Sequence, residues 1–191
     1  MYAVRPKSIK VKTAPDQLYT AAIQKEFSRI STTTEDDLIN SFIQSATKKA
    51  ENFTQIAFLN TVFTAYYDCF PCAFELPKGR VSAIASIKYY DTDNQLQTLS
   101  SDYYDSDLNS KPAIIREAKG YSWPSVYDRL NAVEVEYTAG FGVDTDSVPV
   151  DVLTAVKLFA GTFYDSDRVD RRAGNNNLTA AELILTPYIQ Y

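Results

Sequence analysis

The sequence contains no histidine. That removes the usual general base at neutral pH, the commonest zinc ligand and every nucleophile arrangement built on Ser-His or Cys-His pairs. Glycine is scarce, with 6 in 191 residues. None falls into G-x-G-x-x-G or G-x-x-x-x-G-K-[ST], so there is no phosphate-cradling loop and nucleotide enzymes are excluded. No apolar run reaches the roughly 18 residues of a membrane helix. Arg5, Lys7, Lys10 and Lys12 interrupt the start, which leaves no signal-peptide core after Met1. Positive charge is in deficit, 19 Lys and Arg against 24 Asp and Glu, for a net charge of -5 and a pI near 4.8. Such a surface does not grip phosphate backbones, so general DNA binding is not expected. A soluble protein made in the cytoplasm is.

Cysteine occurs twice, as Cys69-Phe70-Pro71-Cys72. C-x-x-C is the spacing of redox dithiols and of half a zinc site. Zinc would need a second pair or a histidine, and a thioredoxin-like dithiol would need a helix after it, where Ala73 to Pro77 is extended. The expectation is two reduced, partly buried thiols. Asp91-Thr92-Asp93-Asn94 begins like a calcium loop, but Leu96 stands where such a loop needs glycine and Asp102 where it needs glutamate. A hairpin turn explains it better. The acid clusters Asp102/Asp105/Asp107 and Asp165/Asp167/Asp170 lack the ligand-helix-ligand setting of a hydrolase site, so solvated loops are expected there. No catalytic residue, metal site or cofactor is assigned.

What is present suits a globular body. The hydrophobic fraction is 45% and the length suffices for a core without a metal or disulfide staple. Aromatics are abundant, with 14 Tyr and 10 Phe beside one Trp. Surplus Tyr marks either contact surfaces or sheet propensity, and both readings stand.

Period-two alternation from Arg80 to Tyr90 predicts a strand with Val81, Ala83, Ala85, Ile87 and Tyr89 on one face. The turn at Asp91–Asn94 leads back into an antiparallel partner from Gln95 to Leu99, and this hairpin is the stretch around which the chain is expected to be organised. Helix signals come before it: Pro15 and Asp16 open one helix, and Thr34 as N-cap with Glu35, Asp36 and Asp37 opens a long amphipathic one carrying Leu38, Ile39, Phe42, Ile43, Ala46, Ala50 and Phe53. Leu59 to Phe74 reads as strand and Glu75–Gly79 as a turn. Tyr103-Tyr104, Ala113–Ile115 and Ala132–Tyr137 read as further strands, the last ended by Gly140 and Gly142. Val148-Pro149 opens a third helix whose stripe is Leu153, Val156, Phe159, Ala160, Phe163 and Tyr164.

The fold class is therefore α+β: a helical bundle of three main helices plus a short C-terminal helix, with an inserted antiparallel sheet or hairpin region. The division expected is an N-terminal arm over 1–13, loose or ordered only against a partner; an α+β domain over 14–168, with helices in 14–56 and 149–166 around a β-rich insert at 58–139; and a connector with a C-terminal docking segment over 169–191.

The order of these pieces resembles the small head-to-tail connector proteins, also called adaptor or head-completion proteins, of long-tailed phages and phage-derived gene transfer agents. Four segments carry the likeness: Thr34 to Thr54, Val81 to Asp91, Val133 to Gly142 with Val148-Pro149 and the helix to Tyr164, and Leu183-Ile184-Leu185-Thr186-Pro187-Tyr188. It spans roughly residues 34 to 188. Where the family often has an Arg three residues after the third helix's Tyr, this chain has Asp167, with Arg168 one later. The resemblance implies a virion structural protein of the neck, assembled in the host cytoplasm as a ring of twelve copies beneath the portal. It would meet the portal ring on one side and a stopper, tail-terminator or tail protein on the other, and DNA would pass through without sequence-specific binding. An acidic lumen suits that passage. The rival readings are a metal-dependent hydrolase using the Asp clusters and a monomeric binding module. The residues expected to meet the portal or a neighbouring copy are Leu183, Ile184, Leu185, Pro187, Tyr188, Ile189 and Tyr191. They crowd into a short apolar segment that must be buried somewhere, and docking away from its own core is the expectation.

Overall fold

A computed structural model describes residues 3–31, 34–164 and 176–190. These residues form four α-helices and two antiparallel sheets, and the chain divides into two compact units. Among the described residues the β unit comprises 3–14, 60–140 and Gln190; the helical unit comprises 15–31, 34–59, 141–164 and 176–189.

In the β unit, β1 (Ser8–Thr13), β2 (Thr61–Tyr67), β8 (Val133–Ala139), β4 (Val81–Tyr90) and β5 (Leu96–Thr98) make a five-stranded sheet in the order β1-β2-β8-β4-β5. A three-stranded sheet has the order β3 (Ala73–Leu76), β7 (Ala113–Glu117), β6 (Tyr104–Asp107). The centre of the larger sheet is β8, which pairs with β2 on one side and β4 on the other. The 81–90 strand is thus a flank of the organising strand. Residues 8–13, expected as a loose or partner-ordered arm, lie along β2 as an edge strand. Lys7 to Asp68, Lys12 to Glu136 at 2.6 Å and, just before the strand, Arg5 to Glu75 at 2.6 Å tie this segment down by exposed ion pairs.

The alternation predicted for β4 is corrected. Along β8, Val133, Val135, Tyr137 and Ala139 are fully buried, and their β4 partners are Tyr89, Ile87, Ile84 and Val81. The register shifts between Val81 and Ala83 and again between Ile84 and Ser86. Each shift is a bulge that sets two β4 residues against one on β8 and reverses the side-chain parity. Inward positions therefore run 81, 84, 87, 89. Ala83 and Ala85, assigned inward by strict alternation, are exposed. The hairpin turn is closed by the Asp91 carboxylate, which accepts from the Gln95 amide at 2.9 Å, the Asp93 amide at 3.0 Å and the Gln97 side-chain amide at 2.7 Å.

Aromatic rings fill the space inside this unit. Phe70 stacks on Trp123 with centroids 4.9 Å apart, Phe74 meets Trp123 and Tyr67 edge-on, and Phe63 stacks on Tyr137 at 5.7 Å. The Trp123 indole N–H donates to the Pro71 carbonyl at 2.9 Å. Burial pushes the Tyr67 and Tyr137 hydroxyls up, so they stay neutral and donate, to the carbonyls of Glu75 and Pro77 respectively.

In the helical unit, α1 (Ala21–Ser28), α2 (Asp36–Thr54), α3 (Val150–Tyr164) and α4 (Asn176–Leu185) surround one core. Ile39, Ile43, Ala46 and Ala50 of α2 face Val152, Ala155, Val156, Phe159 and Ala160 of α3. The alanines leave room for close helix approach. α1 begins later than its Pro15 signal because the Leu18 carbonyl is taken by the Thr145 hydroxyl at 2.6 Å, and Leu18 and Tyr19 are buried as irregular chain. Thr34 is not the cap of α2: Glu35 holds that position without a side-chain cap bond, while Asp36 and Asp37 do occupy the first turn. Asp36 also pairs with Lys25 at 2.6 Å, and the Tyr164 hydroxyl donates to the Glu35 carboxylate. Gln24, buried in the core, is satisfied by the Tyr19 hydroxyl, Ser28 and the Lys157 carbonyl. Gly142 is required by close approach, since a Cβ there would lie 2.2 Å from the Ser147 side chain.

The bulges make a direct prediction. Ala85→Lys should change stability by no more than about 0.5 kcal/mol, while Ile87→Ala should cost about 2–5 kcal/mol in urea unfolding. Equal costs would mean that both share the buried face. A second expectation concerns the turn. Hydrogen bonds from Gln95 and Gln97 hold the Asp91 pKa below its ordinary 3.8. A depressed carboxylate pKa gives stability that is present above 3.8 and lost as pH falls through the lower folded value. Hydrogen exchange at the Gln95 amide should therefore accelerate below pH 3.8 beyond the acid trend of amides elsewhere in β4, and an unchanged ratio would remove the Asp91 bond from the turn's stability.

Candidate functional site

The C-terminal end of the helical unit collects most of the segment singled out from sequence. α4 is amphipathic at its end: Ala181 and Leu185, four apart, are fully buried, Ile184 packs beside them, and Leu183 on the opposite face is 68% exposed. The Thr186 hydroxyl closes the helix onto the Glu182 carbonyl at 2.9 Å, and a 3-10 turn, Thr186–Tyr188, follows. The Tyr188 hydroxyl donates to the Asp151 carboxylate, with both oxygens within 2.9 Å, and its ring meets Phe141 edge-on at 6.2 Å. This carboxylate, with burial the larger cause, raises the Tyr188 pKa.

Tyr188 thereby draws the start of α3 and the 141–148 loop to one end of the unit. Val150 is 78% and Val143 79% exposed there. Leu183, exposed Pro187 and half-buried Ile189 are further apolar side chains that this end of the unit leaves outward. Tyr191 lies outside the described residues.

The expectation that the segment docks elsewhere and does not complete its own core is corrected for its inward face. Ala181, Ile184 and Leu185 are part of the helical core because the i, i+4 face of α4 lies against α3. Sequence reading did not single out Val143, which stands outside any periodic element, or Val150, which opens α3 but falls off its buried stripe.

The other sequence candidates take structural roles. Cys69 and Cys72 are free and exposed, not partly buried, because Phe70 between them turns inward onto Trp123. Asp107 accepts from the amides of Asn109 and Ser110, and Asp102 belongs to the Ser100-capped turn. Among the described residues no three His, Cys, Asp or Glu side chains converge as metal ligands, and no helix is long and apolar enough to cross a membrane. Asp165, Asp167 and Asp170 lie outside the described residues.

The class these features define is a small α+β protein of four helices and two antiparallel sheets among the described residues. Residues 23–119 match the family of phage gp6-like head-tail connector proteins, and the chain belongs to that family. The same fold occurs in a structure of the neck of an empty gene transfer agent (GTA) particle computed with C6 symmetry, with a TM-score of 0.79 and 22% identity over 96% of both chains. It occurs in the virion of a native GTA particle, at TM-score 0.77 and 20% identity over 96% of this chain and 95% of that one. It occurs again in the neck of a native GTA particle computed with C12 symmetry, at 0.71 and 21% over 96% of both. No curated protein matches the chain. The hydrolase reading has no support from these comparisons.

The two faces of α4 differ in what they hold. Leu185→Ala should lower stability by about 2–5 kcal/mol as a core cavity, whereas Leu183→Ser should stay within about 0.5 kcal/mol. Thermal unfolding of the two variants checks this, and similar losses would place Leu183 in the core as well.

Proposed function

We propose that the chain is a neck protein of a virion and forms a ring of twelve copies beneath the portal. The ring gives the stopper or tail its docking surface, closes the filled head and lets DNA pass. Membership of the head-tail connector family carries this reading. The likeness to chains of GTA necks determined with C6 and C12 symmetry supports the ring. A net charge of -5 supports the passage of DNA, because a surface without excess cations does not hold phosphates.

Within this proposal the apolar end of the helical unit is the portal or neighbour surface. Leu183, Pro187, Tyr188 and Ile189 are its contact residues, with Tyr191 beyond them and Val150 beside them. Ile184 and Leu185 act from beneath by fixing α4 on α3.

The test uses portal-bearing heads incubated with the purified full chain. A ring at the portal vertex in electron micrographs is the expected result, and its absence would end the ring reading. The double substitution Leu183→Asp and Val150→Asp should keep the melting temperature, since both sites are exposed, and reduce head occupancy at least tenfold. Unchanged occupancy would move the docking surface elsewhere.

A further inference from the structure

Two sheet edges of the β unit carry opposite charge. β1 is the first strand of the five-stranded sheet and β6 the last of the three-stranded one. Arg5, Lys7 and Lys12 near the β1 edge are held by Glu75, Asp68 and Glu136 of their own unit, which leaves Lys10, over the Tyr66 ring, as the cation this edge offers, and the alternation Lys10-Val11-Lys12 is exposed throughout. Val11 is 55% exposed in spite of being apolar. On the β6 edge Asp105, Ser106 and Asp107 are exposed, and a groove of about 290 Å³ runs beside them, lined also by Ile114 and Arg116. An edge strand is a template for another strand, and charge decides which one it accepts. In the registers that match like positions, pairing β1 with β1 sets lysine against lysine, and pairing β6 with β6 sets aspartate against aspartate. Only β1 on β6 brings opposite charges together, and like charges directly across a ladder are unfavourable.

We propose that β1 of one copy adds along β6 of the next copy, with Lys10 beside Asp105 and Val11 covered by Tyr104 and Ser106. Asp107 contributes charge while its carboxylate stays on its own turn. The occupant is a second copy because both halves of the contact are on this chain, on different strands. A contact between unlike patches is head-to-tail, and head-to-tail contacts close into rings when the rotation allows. The inference rests on the ring reading above and specifies which edges meet in it.

The test starts from a chain with Cys69→Ser and Cys72→Ser, into which Val11→Cys and Ser106→Cys are placed together and singly. After loading onto portal-bearing heads, a short bis-maleimide should give a ladder of cross-linked species with the double variant and only monomer with either single one. Separately, Lys10→Glu and Asp105→Lys should each lower ring occupancy about tenfold, and the two combined should restore it. A ring in micrographs with no ladder overturns the edge contact and leaves the ring standing; no ring with the unsubstituted chain overturns the ring itself. Loss on Asp105→Lys that Lys10→Glu fails to rescue would make the occupant a basic segment of another protein and overturn the second-copy assignment. The cross-link readout changes no charge, so it decides the matter even if a charge variant fails to fold.

Discussion

The β unit depends on one strand being paired along both edges. β8 presents Val133, Val135, Tyr137 and Ala139 to the interior and Glu134, Glu136 and Thr138 to the other side, and β2 and β4 both take their register from it. A slip of one residue on either side would carry the glutamates inward, so the hydrophobic pattern of β8 locks both ladders. β4 does not have the period to match, and its two bulges are how ten residues from Val81 to Tyr90 keep four apolar side chains facing a strand of seven. The bulges place Ala83 and Ala85 outward, where small side chains cost little.

The helical unit solves a different problem, which is to bring long helices close while leaving no polar group unsatisfied. Ala46, Ala50, Ala155 and Ala160 supply the close approach. The buried polar atoms are matched locally: Gln24 with three partners, and Thr54 with the Ala50 carbonyl at 2.9 Å. Tyr188 then fastens the 3-10 turn Thr186–Tyr188 to Asp151. On α4 one face completes the core and the other is left to the exterior.

The chain belongs to the head-tail connector family. Three of its acids, Asp91, Asp107 and Asp144, serve turns, the last accepting from the amide and hydroxyl of Ser147. Each of these carboxylates is held below its ordinary pKa by such bonds, so it stays charged and keeps its loop fixed.

How much could be read without coordinates follows from the range of the forces involved. Periodicity and turn chemistry are local. They revealed the long helix through its apolar stripe from Leu38 to Phe53, the β8 strand through its alternation, the hairpin turn at Asp91 and the Pro-opened helix ending at Tyr164. The order of those pieces was enough to suggest the connector family. The places where reading failed are those decided by partners distant in sequence. Which strand is central, the two bulges of β4 and the docking of residues 8–13 on β2 are set by the strands alongside, not by the residues themselves. The same holds for Leu185 and Leu183. Composition makes them equivalent, and only the packing of α4 on α3 buries one and exposes the other, because burial is a property of the neighbouring surface.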